Sequence, residues 1–423
     1  MEQRAAWGCV ALAALLGCCA AQGAGPGAGL RELLAWKQVS FAFADDAARS
    51  RALDSGDFVP EHNAPLGLDV SGDRLFVTVP RWRKGVAATL NVIHLDDAML
   101  RSDGPPAAPL LQPYPSWEAN TLPAEGEGEG AAAGKLLSVF RVRADPCGRL
   151  WALDTGLDDL LGSTRRVAPA RLVVIDLASD RVVREYALPD ADLKPDSFWA
   201  HIAVDVTNAT CDDAFAYLSD VGAQGLVVYS WKQNASWRVE HHFFNFDPLR
   251  GNFHIGGANF QWKDGLFGVA LSAPDDDGGR TAYFHPLAST HEFAVPTRVW
   301  QNSSAADDYY AYRVLGSRGE RAQSTASFIH EPSGVLFYTL VNRNGVGCWN
   351  TNKPFSEENQ GLAAHDDKAL IFPNDLKVCG GGNLWVLSNR LGDFLYGKLD
   401  PNEVNYRIFR RPVPEVVRGT VCE

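Results

Sequence analysis

Residues 370–400 read LIFPNDLKVCGGGNLWVLSNRLGDFLYGKLD. Short apolar runs separated by Gly, Asn and Asp clusters are the mark of strands joined by hairpins. The spacing predicts strands over 372–378, 384–388 and 394–399, with Gly380-Gly381-Gly382 as the first turn and 389–393 as a polar second turn. A fourth strand follows the Pro401-Asn402 turn, over 406–410. Four antiparallel strands within one short unit form a propeller blade.

The unit repeats along the chain. A small or polar turn residue, an apolar residue and then an aromatic recur at Asp73-Arg-Leu75-Phe76, Gly148-Arg-Leu150-Trp151, Asp213-Ala-Phe215-Ala-Tyr217, Asp264-Gly-Leu266-Phe267, Gly334-Val-Leu336-Phe337 and Gly382-Asn-Leu384-Trp385. Successive anchors lie 48 to 75 residues apart, the length of one blade plus its loops. Each anchor is preceded by a candidate inner strand, over 65–70, 139–143, 202–206, 259–263, 327–330 and 372–378. Third strands follow, such as 89–94, 172–177, 226–231 and 281–285. A plain antiparallel sandwich has no reason to repeat the step six times. The expectation is an all-β, six-bladed propeller of four-stranded antiparallel blades.

The 423 residues would fill about two or three average domains, but a propeller closes as one whatever its length. A net charge of -12 argues against nucleic acid or an anionic membrane as partner. Arg4, an apolar run over 10–16 and a small-residue step at Ala20-Ala21 predict a secretory signal over 1–21, too short in its apolar part to span a bilayer. Residues 22–63 form a leader and closing segment. Within it, 30–40 is either a short helix or the outer strand that closes the ring, and 41–63 is an irregular approach. Residues 64–423 form a single propeller domain. Three sequons, Asn208-Ala-Thr210, Asn234-Ala-Ser236 and Asn302-Ser-Ser304, fall between predicted strands, where a glycan could stand in water. The mature protein is expected to be secreted, free of the membrane and monomeric.

Cys9, Cys18 and Cys19 leave with the signal. Cys147, Cys211, Cys348, Cys379 and Cys422 remain, which in an oxidising compartment predicts two disulfides and one leftover thiol. Cys147 and Cys211 precede the second strands of adjacent blades, so pairing them is geometrically reasonable; the other three stay open. No Cys-x-x-Cys or close Cys/His spacing suggests zinc, and no phosphate loop or nucleophile elbow occurs, so no metal or cofactor is expected. Asp154-Thr155-Gly156 and Asp54-Ser55-Gly56 each resemble half of an aspartic-protease site, but read better as two Asp-Gly turns. His241 and His242 are consecutive on a predicted strand and should face opposite ways.

The remaining candidate is the end of the central channel where inner strands begin. Arg81-Trp82, Phe140, Asp154, Asn259, Asn342, Asn374-Asp375 and Asn389 are expected there. Amides and carboxylates beside an aromatic wall suit a small, flat, and in particular a cationic ligand. The competing reading is that these residues cap strands and bind water.

Several longer runs carry a family resemblance: Leu75-Phe-Val-Thr-Val-Pro-Arg-Trp82, Pro113-Tyr-Pro-Ser-Trp117, Cys147-Gly-Arg-Leu-Trp-Ala-Leu-Asp-Thr-Gly156, Asn259-Phe-Gln-Trp262, Val346-Gly-Cys-Trp-Asn350, Phe372-Pro-Asn-Asp-Leu-Lys377 and Gly419-Thr-Val-Cys-Glu423. From about Leu33 to Glu423 the chain resembles the insect Yellow/major royal jelly protein family. That resemblance implies a secreted six-bladed propeller with disulfides Cys147–Cys211 and Cys348–Cys422. Cys379 would then be free, though a Cys348–Cys379 pairing stays open. It also implies a role in cuticle pigmentation and melanin formation. Some members resemble dopachrome-converting enzymes, and a salivary branch binds biogenic amines in the channel; Phe140, Asn374, Asn389 and Leu391 match that amine pocket by position.

Three readings follow. As an isomerase of dopachrome-like catechol derivatives, the protein would use Asp375 or Asp154 as base and Asn374 and Asn389 as donors to quinone oxygens. As a non-catalytic carrier of biogenic amines, it would use the same Asn pair for hydroxyls, with Phe140 and Trp82 stacked on the ring. The third reading is a structural secreted protein with no small ligand.

Overall fold

The computed structural model describes residues 29–423 except 102–103, 125, 128, 208 and 305–307. The predicted signal and the Asn208 sequon lie outside the described residues.

Six four-stranded antiparallel sheets stand in a ring. Their innermost strands are Gly67–Ser71, Val139–Ala144, Trp199–Asp205, Leu266–Leu271, Ser327–His330 and Pro373–Cys379, each touching the next and the last touching the first. The repeated apolar-aromatic step explains the stacking. Leu75, Phe76, Leu150, Trp151, Leu336, Phe337 and Leu384 are all wholly or almost wholly buried between blades. At about 1.5–3 kcal/mol for each large apolar side chain removed from water, these positions hold neighbouring blades face to face. Outer strands feel the core on one side only, so Arg181–Ala187 alternates exposed and half-buried residues.

The ring closes through the N-terminal segment. Arg31–Trp36 pairs antiparallel with Tyr406–Pro412 and becomes the outer strand of blade six, with Leu33, Leu34 and Trp36 buried. Of the two readings of residues 30–40, the structure takes the strand. The disulfides Cys147–Cys211 and Cys348–Cys422 form, and Cys379 is free. Such bonds persist in oxidising surroundings. Among the described residues no helix is long and apolar enough to cross a membrane.

Four expectations are corrected. The third strand expected over 394–399 is part of a short helix, Leu391–Tyr396, and the true third strand is Tyr406–Pro412. The run Phe394-Leu395-Tyr396 is too short to distinguish a buried helical turn from a strand. In blade four, Leu266-Phe267 lies on the innermost strand rather than the second, which is Thr281–Pro286. The run taken as its inner strand belongs to an inserted hairpin, Asn252–Ile255 with Ala258–Gln261. Residues 41–63 contain a helix, Asp46–Ser55, capped by the Asp45 carboxylate and ended by left-handed Gly56. It buries no side chain and so shows no apolar period. His241 and His242 do not point apart: a tight turn begins at His242, and the two rings stack 4.5 Å apart.

Candidate ligand site in the central channel

The inner strands carry charged residues inside otherwise apolar runs, and these meet in the channel. Arg141 of blade two reaches across the axis to blade six. Its guanidinium donates to Asp375 (2.8 Å) and to the Asn374 carbonyl (2.6 Å), and lies 3.4 Å from Nδ1 of His201 in blade three. Lys377 donates to the same Asp375 oxygen at 2.7 Å. Arg141, Asp375, Lys377 and His201 are all buried. An Arg donor at Nδ1 leaves the His201 proton on Nε2, which faces the Val269 carbonyl at 3.3 Å. Burial and the neighbouring Lys377 and Arg141 charges push the His201 pKa well below the imidazole norm, so the ring is neutral.

Arg141 divides the channel into two unlike ends. At the end where inner strands begin, the rings of Trp82, Phe140, Phe198 and Phe267 pack on one another with centroids 5.5–6.3 Å apart. The Arg141 guanidinium lies 5.3 Å from the Phe267 ring. Over this end lies the inserted hairpin. Its alternation buries Phe253, Ile255 and Phe260 and exposes Asn252, His254, Asn259 and Gln261. Gly392 of the short helix approaches Phe260, so that a Cβ there would stand 3.0 Å from its ring.

At the other end, where inner strands finish, the channel opens into a cavity of about 910 Å³. Its deepest ring takes one residue from each blade: Val70, Arg143, His201, Val269, Phe328 and Lys377. Its mouth includes Gly380-Gly381-Gly382, whose φ values of 58°, 76° and 80° lie in the left-handed region that side chains disfavour. A Cβ at Gly381 would meet nothing within 4 Å.

Most of the residues expected to bind ligand lie at the covered end and are engaged with the protein itself. Asn374 donates to the Leu66 carbonyl and Asn389 to the Pro65 carbonyl, tying blade six to blade one. Asp375 also accepts from the Leu68 amide. Asn342 accepts from the His254 amide and so holds the hairpin. Leu391 is buried beneath it, while Asn259 is exposed on its outer face beside His254. Asp154 is fully buried, accepts from the amides of Leu137, Ser138 and Gly156, and faces Arg171. Asn234 and Asn302 sit exposed in turns. Arg143, His201 and Lys377 were not singled out from the sequence. The available signal was a charged or imidazole residue inside an apolar inner strand, as in Val139–Ala144 and Pro373–Cys379.

The molecule is thus a six-bladed propeller, covered at one end of its channel and open at the other onto a floor of buried ionic groups. The sequence profile described as "Major royal jelly protein" matches residues 137–422. "Protein yellow" of Drosophila subobscura is 42% identical over 397 residues, covering 93% of this chain and 67% of that protein. "Protein yellow" of Drosophila melanogaster is 41% identical, covering 93% and 71%. The chain belongs to the major royal jelly protein family, with the Yellow proteins among its relatives. A solved luciferin-regenerating enzyme shares 11% identity at a TM-score of 0.44, covering 86% of this chain and 95% of that one.

Proposed function

We propose that this protein is secreted and acts in cuticle pigmentation and melanin formation, taking a dopachrome-like catechol derivative in the open end of its channel. Family membership supports the process. The observation that carries the location is the cavity itself, large enough for a two-ring ligand and floored by groups able to hold or move a proton. Tautomerisation of a dopachrome-like quinone requires donors to its oxygens and a group that takes a ring-adjacent proton. Lys377 supplies an ammonium donor on the cavity wall, and His201 is the neutral imidazole near it. For His201 to take the proton, Arg141 must release its Nδ1; the oxygens of Asp154 and Asp375 are likewise engaged, by amides and cations.

Dopachrome decay at neutral pH tests the reading, using purified deglycosylated protein beside Lys377→Met and an Asn374→Ala/Asn389→Ala double variant. The expected result is saturable acceleration that Lys377→Met loses. Decay no faster than in buffer would remove conversion of this substrate. Loss of activity in a still-folded double variant, with Lys377→Met active, would move the site to the covered end.

A further inference from the structure

The open cavity holds an imbalance of charge at its floor. Arg141, Arg143 and Lys377 meet there with two carboxylates, Asp69 and Asp375, which leaves one positive charge in excess. His201 is neutral and does not alter the balance. Both wall cations keep donors in hand. Arg143 gives one N–H to Asp69 at 2.9 Å, and among the described residues its Nε and Nη2 have no acceptor. Lys377 spends donors on Asp375 and on the Leu376 carbonyl, with a third left over. Lys377 is buried, and Arg143 lies against the Phe328 ring, 4.7 Å from its centroid.

Nearer the mouth two cations, Arg149 and Arg280, meet three carboxylates, so the surplus positive charge is confined to the floor. Asp145 is held by Arg149 at 2.7 Å and by the Trp151 indole N–H. Arg280 stands between Asp205 (3.0 Å) and the half-exposed Glu331 (2.7 Å). The Cys379 thiol is kept protonated by burial, and the His330 pKa is pushed down by the same cause. A ligand ammonium would meet Glu331 only at the mouth, whereas at the floor a ligand anion would find the surplus cation. Surplus buried charge is unfavourable unless compensated.

We propose that the floor of the open cavity is a recognition site for a small aromatic carboxylate, with Arg143 and Lys377 as its cationic contacts. The carboxylate lies between the two cations, and the ring lies against Phe328, Val70 and Val269. As far as it names a catechol, this rests on the function proposed above; the carboxylate preference is independent of it.

Four probes separate the two ideas: 3,4-dihydroxyphenylacetate, phenylacetate, 3,4-dihydroxyphenylacetamide and dopamine. Each is titrated calorimetrically into the disulfide-intact protein. Both carboxylates are expected to bind at least about tenfold tighter than the amide, as one charge-assisted hydrogen bond implies, with dopamine weakest. Arg143→Gln and Lys377→Met should each weaken the carboxylates by about tenfold or more and the amide by less. If either variant fails to fold, the four-probe series on the unaltered protein still decides. Amide or dopamine binding as tightly as the acids, or acids binding undiminished to the folded Arg143→Gln and Lys377→Met variants, would overturn the proposal. Equal binding of phenylacetate and its dihydroxy analogue would sink the catechol reading and leave the carboxylate site standing.

Discussion

Replacing Asp154 by Asn separates a structural carboxylate from a catalytic one. Asp154 has no exposed surface, and its two oxygens accept from Leu137 N (2.9 Å), Ser138 N (2.8 Å) and Gly156 N (3.0 Å) and face Arg171 at 3.3 Å. An Asn amide keeps one acceptor oxygen but turns an NH₂ group toward a backbone N–H. It also removes a buried charge opposite Arg171. Removing one partner of such a pair costs about 3–5 kcal/mol. The retained acceptor puts the expected loss near the lower end, about 3 kcal/mol. The entropy of unfolding for a chain of this size is about 0.8 kcal/mol per kelvin, so the midpoint should fall by about 4 °C. Scanning calorimetry with disulfides intact measures it. Below that midpoint the variant should retain full ligand handling. A Tm within about 1 °C of the parent, together with lost dopachrome conversion, would refute the argument and make Asp154 the base.

Leu34 is fully buried where the closing strand meets Ile408, so Leu34→Ala should lower stability in urea by about 2–5 kcal/mol; no change would mean that the ring does not depend on this strand. Breaking Cys348–Cys422 with a Cys422→Ser change opens a crosslink between residues 74 apart and should cost roughly 2–5 kcal/mol by the same measurement. Acid should destabilise the fold. Burial holds His241 at about 4 and pushes His201 below its usual value, whereas the unfolded chain protonates near pH 6.5. Folded-state pKa values below the unfolded ones mean that stability is complete above about pH 6.5 and declines toward pH 4. His241 faces His242, Tyr309 and Tyr312, and His241→Gln should flatten Tm against pH in that window; an unchanged slope would contradict the assignment.

The propeller was legible because its repeat is a packing requirement: apolar-aromatic steps on the second strands of five blades fill the gaps between neighbours. Cys147–Cys211 followed from the same regularity. Blade four misled because Phe260 and Trp262 alternate as a strand should, yet their hairpin packs over the channel instead of entering the ring. Blade six misled because Phe394-Leu395-Tyr396 reads as the start of a strand but ends a short helix, while its fourth strand, one of the two readings of residues 30–40, comes from the opposite end of the chain. The ligand end was the least legible. Asn374 and Asn389 have the chemistry of binding groups, and only the fold reveals that carbonyls of blade one accept their hydrogen bonds. Arg143 and Lys377 are isolated charges in apolar runs, and their meeting depends on blades two and six being brought together around the axis.

A crystal structure grown with 3,4-dihydroxyphenylacetate tests the central claim most directly. The account predicts density in the open cavity, with the carboxylate between Arg143 and Lys377 and the ring against Phe328. Density instead beside Phe140, Asn374 and Asn389 at the covered end would contradict it.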